Sequence, residues 1–516
     1  MGPTWAVLTL GALVVVLSLL VPFALHRTYL LKLSRRERKP RSNRWEGPLP
    51  VITVQLPVFN ERAVVGRLID AVCELDYPQE LLEIQVLDDS TDVTSRIVSE
   101  RVHQWASRGV RIEHVQRGHR DGFKAGALAA GVEGAEGEFF LILDADFLPR
   151  PSLVKHLLSV FGDAEVGMAQ ARWDHLNETE NGLTRAQALL LDGHFFFEQG
   201  GRYAGHRFFN FNGTAGMWRR DCLVEAGGWV ADTLTEDLDL SYRAQMAGWR
   251  FEFLGDVGVP AELPSSGPAL EIQQRRWAQG GIETARKHLP TLLRGGWPRA
   301  VKVEAAIHLL GHLAHPLTLL LALLLFPAAA ARRALELERW IWADAVVFVM
   351  ATVPFLVFYA SAARRRARPW GFVIGSVLRT LATGIGLSAS VSIAVIRGFV
   401  GISEPFRRTP KTGDGRSGRY GSLLPRADVA LKTAMAVWTT VALVLAAVEG
   451  YWGSIPFLAL FAAGYLWLCV GTFAGGAVPV ELPDEQSEER RPDEEPYRKG
   501  FRPLARPLEG VEAPVA

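Results

Sequence analysis

The stretch Leu82-Glu-Ile-Gln-Val-Leu-Asp-Asp-Ser-Thr-Asp92 runs from a short apolar segment straight into a cluster of carboxylates, and Phe139-Phe-Leu-Ile-Leu-Asp-Ala-Asp146 repeats the pattern. Apolar runs of this length, rich in Val, Ile and Phe, read as buried strands. Val51–Phe59, Arg111–Val115 and Val166–Ala171 have the same texture, and helix-like stretches such as Arg62–Leu75 and Thr94–Trp105 lie between them. Strands and helices alternating at this spacing predict an α/β domain, a mostly parallel sheet with helices on both faces. Ligands of such sheets bind beyond the carboxyl ends of the strands. Asp88 and Asp89 stand at one such end and Asp144 and Asp146 at another, so the two clusters are expected to face one crevice.

On either side of this domain the texture changes. Thr4–Leu25 carries no charged side chain and is followed by Lys32, Arg35, Arg36, Arg38, Lys39, Arg41 and Arg44. About 20 apolar residues span a bilayer core, and a basic flank stays on the cytoplasmic side, so the N-terminus is expected outside. A cleavable signal peptide would carry its charge before the apolar run, so an anchor is expected here. Ala305–Ala331, Ala345–Ala363, Thr433–Val448 and Tyr451–Val480 add further uncharged runs, giving five expected crossings. Trp370–Val400 contains Arg379, Arg397 and many Gly, Ser and Thr residues. Charge at mid-membrane depth is costly, so this segment is expected to be interfacial or re-entrant. The expected organisation is an anchor and basic linker over 1–45 and a sheet domain over 46–300. Membrane helices follow over 301–480, with the interfacial helix at 370–400 and a loop at 401–425, and a Pro-rich, charged, disordered tail occupies 481–516.

The chain has 516 residues, 49% apolar and 22% charged, with 56 Lys+Arg against 55 Asp+Glu, which fits neither a disordered polymer nor a polybasic nucleic-acid binder. Cys73, Cys222 and Cys469 are too few and scattered for a disulfide framework or a thiolate zinc site. No Walker A loop, dinucleotide fingerprint or nucleophile elbow is present, so nucleotide hydrolysis, dinucleotide redox and α/β-hydrolase chemistry lack their parts. Clustered carboxylates repel one another until a cation or a donor-rich ligand neutralises them, and hard oxygen ligands suit Mg2+ or Mn2+ carried in with a diphosphate. Taken singly, Asp92 also reads as a helix cap, and Lys124 in Gly122-Phe-Lys-Ala-Gly126 reads either as a solvated lysine or as a cation at an anion-binding helix start.

The ordered set Val54-Gln-Leu-Pro-Val-Phe-Asn-Glu61, Asp88-Asp89, Asp144-x-Asp146, Thr235-Glu-Asp237 and Gln273-Gln-Arg-Arg-Trp277 resembles the membrane-embedded family 2 glycosyltransferases. Gln85–Asp92, Gln170–Trp173, Phe211–Gly216 and Glu225–Trp229 are similar to the cellulose-synthase-like A and C proteins, the glucomannan and xyloglucan-backbone synthases of plants. The resemblance covers roughly Val51 to Gly281 and implies a GT-A-type domain inserted between an N-terminal helix and a C-terminal helical bundle. It implies that Asp88, Asp89 and Asp144 hold the nucleotide, Asp146 the divalent cation and Lys124 the phosphates. Asp237 would be the general base, with Glu236 beside it facing the acceptor. Gln273, Arg276 and Trp277 would cover the diphosphate and acceptor sugar, and Phe211, Asn212, Gly213 and Thr214 would form the acceptor-facing finger. The implied donor is UDP-glucose or GDP-mannose, and the implied product a β-1,4-linked polysaccharide threaded outward.

An inverting transfer needs one carboxylate to take the acceptor proton and positive charge on the departing phosphates, roles that suit Asp237 and Arg276. Thr235-Glu-Asp-Leu-Asp also reads as an acidic helix start, and Trp277 as core packing. His308, His312 and His315 share a helical face with metal-ligand spacing, or line a polar cavity. Phe406-Arg-Arg-Thr-Pro-Lys411 reads as a basic membrane-surface loop, and is similar to the gating loop of cellulose synthases with Arg408 in place of Val. Two rival functions remain: a lipid glycosyltransferase that adds one sugar to a ceramide- or diacylglycerol-type acceptor, and a transporter with a sugar-nucleotide-sensing domain. The latter would need no base at Asp237.

Overall fold

The computed structural model describes residues 3–36, 43–402, 409, 411, 413 and 424–474. The tail expected at 481–516 and most of the loop 401–425, including Phe406, Arg407 and Arg408, lie outside the described residues. Seven strands form one sheet: β1 (Ile52–Val58), β2 (Leu82–Asp88), β3 (Ile112–Gln116), β4 (Phe139–Ile142), β5 (Val166–His175), β6 (Gly216–Arg219) and β7 (Arg250–Ala261), in the order β3-β2-β1-β4-β6-β5-β7. β3, β2, β1 and β4 are parallel, β6 runs antiparallel between β4 and β5, and β5 pairs with β7 in parallel. This is the expected mostly parallel sheet with helices on both faces.

Period-two alternation sends each strand's side chains to two separate cores. Phe139 and Leu141 of β4 join the helices Val65–Cys73 and Leu153–Leu158 on one face, whereas Phe140 and Ile142 join Phe123–Glu133 and Glu236–Met246 on the other. Thr53 and Gln55 of β1 face the second side and are paired across the ladder, Thr53 donating to Glu83 and the Gln55 amide N–H donating to Gln85 Oε1 at 3.1 Å. A β-carbon on Gly131 would stand 2.5 Å from Gln55 Nε2 and 2.8 Å from Gln85 Oε1, so a larger residue in the helix above would push this polar pair aside.

Among the described residues, five helices are long and apolar enough to cross a membrane: Thr4–Ser34, Gly311–Ala334, Trp370–Val400, Arg426–Val448 and Trp452–Thr472. The expected run Ala345–Ala363 forms the 25-residue helix Ile341–Arg365, and Trp370–Val400, expected to be interfacial, is one 31-residue helix that qualifies as a span. Its polar residues face protein: 67% of its apolar window is buried against 22% for Thr4–Ser34, Ser388 bonds the Tyr465 hydroxyl at 2.8 Å, and Thr380 donates to the Ala186 carbonyl at 3.3 Å. Burial against neighbouring helices gives these Ser and Thr hydroxyls partners at membrane depth.

Candidate active site

The parallel register pairs Val58 with Asp88 and sets β1, β2 and β4 side by side, so their carboxyl ends open onto one cleft. Asp89, Lys124, Asp144 and Asp146 line its sheet side, and Asn212, Gly213, Glu236, Asp237, Gln273, Arg276 and Trp277 face them. Three expected site residues lie behind this surface. Asp88 is 2% exposed, accepts from the Ser90 N–H at 2.9 Å and pairs with His114 Nε2 at 2.9 Å. Phe211 is a core residue, edge-to-face with Trp218 at 5.6 Å. Thr214 accepts the Asp144 N–H at 2.9 Å and so fixes that carboxylate's backbone.

Gly122, at φ 69°, turns the chain into the helix Phe123–Glu133, whose first turn delivers Lys124. The ammonium donates to Asp144 Oδ1 at 2.6 Å and to the Gly213 carbonyl at 2.8 Å. Burial opposes its charge, but Asp144, Glu236 and Asp237 outweigh burial and raise its pKa. Asp146 meets the Lys411 ammonium at 2.6 Å; burial raises its pKa, Lys411 opposes, and Asp144 and Glu262 add to the rise.

Asp237 begins the helix Glu236–Met246, and a β-carbon on Gly213 would stand 3.0 Å from its Oδ2. Burial and the Glu236 carboxylate push Asp237 up to about 7, against the pull of Lys124 and Arg276. Its helix is clamped to the long helix Gly267–Arg294. Asp239 bonds His288 at 2.6 Å and Lys287 at 2.7 Å, and a β-carbon on Gly280 would lie 2.5 Å from Thr235 Oγ1. Gly280 therefore permits the close approach that sets Asp237 opposite Arg276 and Trp277, which share its cleft from the same long helix.

No group of three His, Cys, Asp or Glu residues suited to a metal occurs among the described residues. Asp144 and Asp146 each face a lysine ammonium, which stands in for a cation. One or two carboxylates fit a hard divalent ion that takes its remaining oxygens from a diphosphate and water. The three membrane-side histidines are not a ligand set: His308 Nδ1 pairs with the Tyr242 hydroxyl at 2.9 Å, and His312 and His315 stack at 6.1 Å along a cavity.

Sequence reasoning missed Trp173, Arg120 and His194. Trp173 ends the stretch Gln170–Trp173 and packs between Phe147 at 5.3 Å and Trp277 at 6.3 Å. Arg120 lies 3.3 Å over the Phe59 ring at the cleft edge. His194 lies in a single π-helical stretch, His194–Gln199, and joins Glu198 at 3.0 Å to Asn212 at 3.1 Å. A second cavity of about 500 Å3 continues from Asp237, Gln273 and Trp277 into the membrane helices.

The family model described as glycosyltransferase like family 2 matches residues 50–280. Probable glucomannan 4-beta-mannosyltransferase 7 of Oryza sativa subsp. japonica is 45% identical over 246 residues, 47% of this chain and 42% of that protein. Glucomannan 4-beta-mannosyltransferase 2 of Arabidopsis thaliana is 43% identical over 250 residues, 48% of this chain and 47% of that protein. The chain thus spans about half the length of these curated relatives. Among solved structures, the mannosyltransferase PcManGT from Pyrobaculum calidifontis in complex with GDP-Man and Mn2+ aligns with a TM-score of 0.49 at 21% identity, over 72% of this chain and 98% of that one. Every cleft residue described above except Lys411 falls inside residues 50–280, the segment that matches glycosyltransferase like family 2.

Proposed function

We propose that the protein is an inverting hexosyltransferase that moves mannose from a nucleoside diphosphate to the 4-hydroxyl at the end of a β-1,4-linked glycan. Mannose, and hence GDP-mannose ahead of UDP-glucose, follows from the likeness to the glucomannan 4-beta-mannosyltransferases. The observation that carries the reading is Asp237, a carboxylate raised to about 7 in the same cleft as Lys124 and Arg276. A general base works best with a pKa near the operating pH. As the acceptor oxygen attacks the anomeric carbon from the face opposite the diphosphate, Asp237 takes its proton. The sugar–phosphate bond breaks with its electrons on the phosphate oxygen, and no covalent enzyme intermediate forms. Lys124 and Arg276 stabilise that oxygen, aided by the N–H groups at the start of Phe123–Glu133. A divalent ion held by Asp144 and Asp146 would supply further positive charge to the diphosphate when bound. Trp277, backed by Trp173, offers an aromatic face to the apolar C–H surface of the acceptor sugar.

The sheet domain belongs on the cytoplasmic side and the N-terminus outside. Lys32, Arg35 and Arg36 lie at the end of Thr4–Ser34 that packs on the domain, where Leu30 meets Gly201 and Leu33 meets Gly205, and basic flanks stay inside. The reading is tested with membranes containing the protein, mannotriose, Mg2+ or Mn2+, and labelled GDP-mannose or UDP-glucose in parallel. Label in β-mannanase-sensitive oligosaccharide is expected from GDP-mannose. Donor hydrolysis with no label in the acceptor would end the transferase reading.

A further inference from the structure

The cavity that continues from Asp237 changes character with depth. Beside the base polar groups stand among apolar ones: His194, itself held by Glu198 and Asn212, His308 and Gln273 line it together with Leu191, Phe195 and Leu238. Along Thr4–Ser34 its lining passes from Arg27 to Leu20 and Leu17, a run of ten residues that rises about 15 Å at 1.5 Å per residue. The same gradient recurs on Gly311–Ala334, from His312 and His315 through Thr318 to Leu321, and on Ile341–Arg365, from Tyr359 through Thr352 to Phe348. At the far end Leu17, Leu321, Ile385 and Phe461 belong to a single apolar cluster within the helices.

A sugar chain carries hydroxyls along its whole length, and each one placed against an aliphatic wall gives up its hydrogen bonds to water without replacement. A hydrocarbon chain has the opposite preference. We infer that the acceptor of this transferase is amphipathic, a glycan whose non-reducing end lies at Asp237 and Trp277 and whose other end is joined to a long hydrocarbon tail seated between Leu17, Leu321 and Phe461. The inference rests on the transferase reading and names the class of its acceptor. Polar walls beside the base hold the sugars, and the aliphatic end holds the anchor, so the glycan end stays registered while the tail remains within the membrane helices.

The test uses the full chain in lipid nanodiscs with labelled GDP-mannose and three acceptors carrying the same mannotriose: free, as a dodecyl glycoside, and as a farnesyl glycoside. A tail is expected to lower the acceptor KM about tenfold or more, because each buried methylene adds to binding. The dodecyl and farnesyl arms separate an acyl-like from a prenyl-like anchor. Leu17→Trp and Leu321→Trp fill the far end and are expected to erase the advantage of the tail while leaving transfer to free mannotriose unchanged. A dodecyl glycoside with a photoreactive group at the tail end gives a second measurement on the unaltered protein, with labelling expected in 4–34 or 311–334. Equal KM for tailed and free acceptors, or labelling confined to the sheet domain, would overturn the inference while leaving the transferase reading intact. Transfer to none of the three acceptors would remove the transferase reading, and this inference with it.

Discussion

The two acidic strand ends look alike in sequence and differ in how their charge is balanced. At the end of β2 the partners are fixed: Asp88 is held by His114 and Ser90, and Asp89 by Arg117. At the start of the β4 loop the partners are two lysines, Lys124 on Asp144 and Lys411 on Asp146. The pKa directions diverge accordingly. Burial pushes Asp88 up, but the His114 and Ser90 hydrogen bonds win and hold it below the usual carboxylate range, whereas burial of Asp146 prevails over Lys411. A carboxylate whose acceptor sites are filled by rigid donors belongs to the framework. One whose partner is a flexible ammonium is free to exchange it for another cation.

The contrast can be broken by substitution. The largest effect is expected at Asp237, outside both clusters: Asp237→Asn removes the proposed base and is expected to lower kcat by about 10³-fold, within the range for general-base loss, while nucleotide binding measured by calorimetry is retained. Undiminished turnover would take Asp237 out of that role. Next, Asp146→Asn is expected to cost on the order of 10²-fold in activity and to weaken divalent-ion dependence, with little change in Tm. Asp88→Ala is expected to behave in the opposite way, destabilising by about 1–3 kcal/mol because the His114 ring and the Ser90 N–H lose a buried acceptor. If both variants shift the metal titration equally, the distinction between framework and exchangeable carboxylates fails.

The acid–base state of Asp237 sharpens the same distinction. Its pKa of about 7 makes kcat/KM rise by about tenfold between pH 6 and pH 8, since the base acts deprotonated. For stability the sign is reversed. In the unfolded chain the group ionises near its ordinary value of 3.8, and in the fold near 7, so the folded state holds the extra proton between these values. The wild type therefore loses stability as pH rises through that window, and the Tm advantage of Asp237→Asn should grow from pH 4 to pH 7. A flat pH–rate profile would place the base elsewhere. The smallest effect is expected at Lys411: Lys411→Gln frees Asp146, and the Mg2+ or Mn2+ concentration for half-maximal activity should fall about threefold, the scale of one weak ion pair.

Much of this arrangement was legible in the chain. The strands β1 to β4 appear as short runs within a residue or so of their observed limits; β1, β2 and β4 are buried along almost their whole length and so need largely apolar sequence, whereas β3 is a half-exposed edge strand marked only by Ile112 and Val115. β6 escaped notice because four residues carry no periodicity, and β7 because Gly255, Gly258 and Pro260 interrupt it where its pairing with β5 shifts register. Adjacent Asp88 and Asp89 must point to opposite sides of a strand end, but which one enters the cleft depends on β3 supplying His114 behind it. Lys411 reaches Asp146 across 265 residues, a pairing no local pattern encodes.

The sequence by itself determined the alternation of strand and helix, the acidic ends, the acidic helix start Thr235-Glu-Asp237 and the apolar runs, because each depends on residues close together in the chain. The tertiary structure decided which carboxylates are locked and which exchangeable, and that the polar helix Trp370–Val400 is enclosed by its neighbours. It also decided that a single cavity turns from histidine-lined to aliphatic. Those properties depend on what lies across a gap of a few ångströms, and burial, hydrogen bonding and charge are fixed by spatial neighbours irrespective of their separation along the chain.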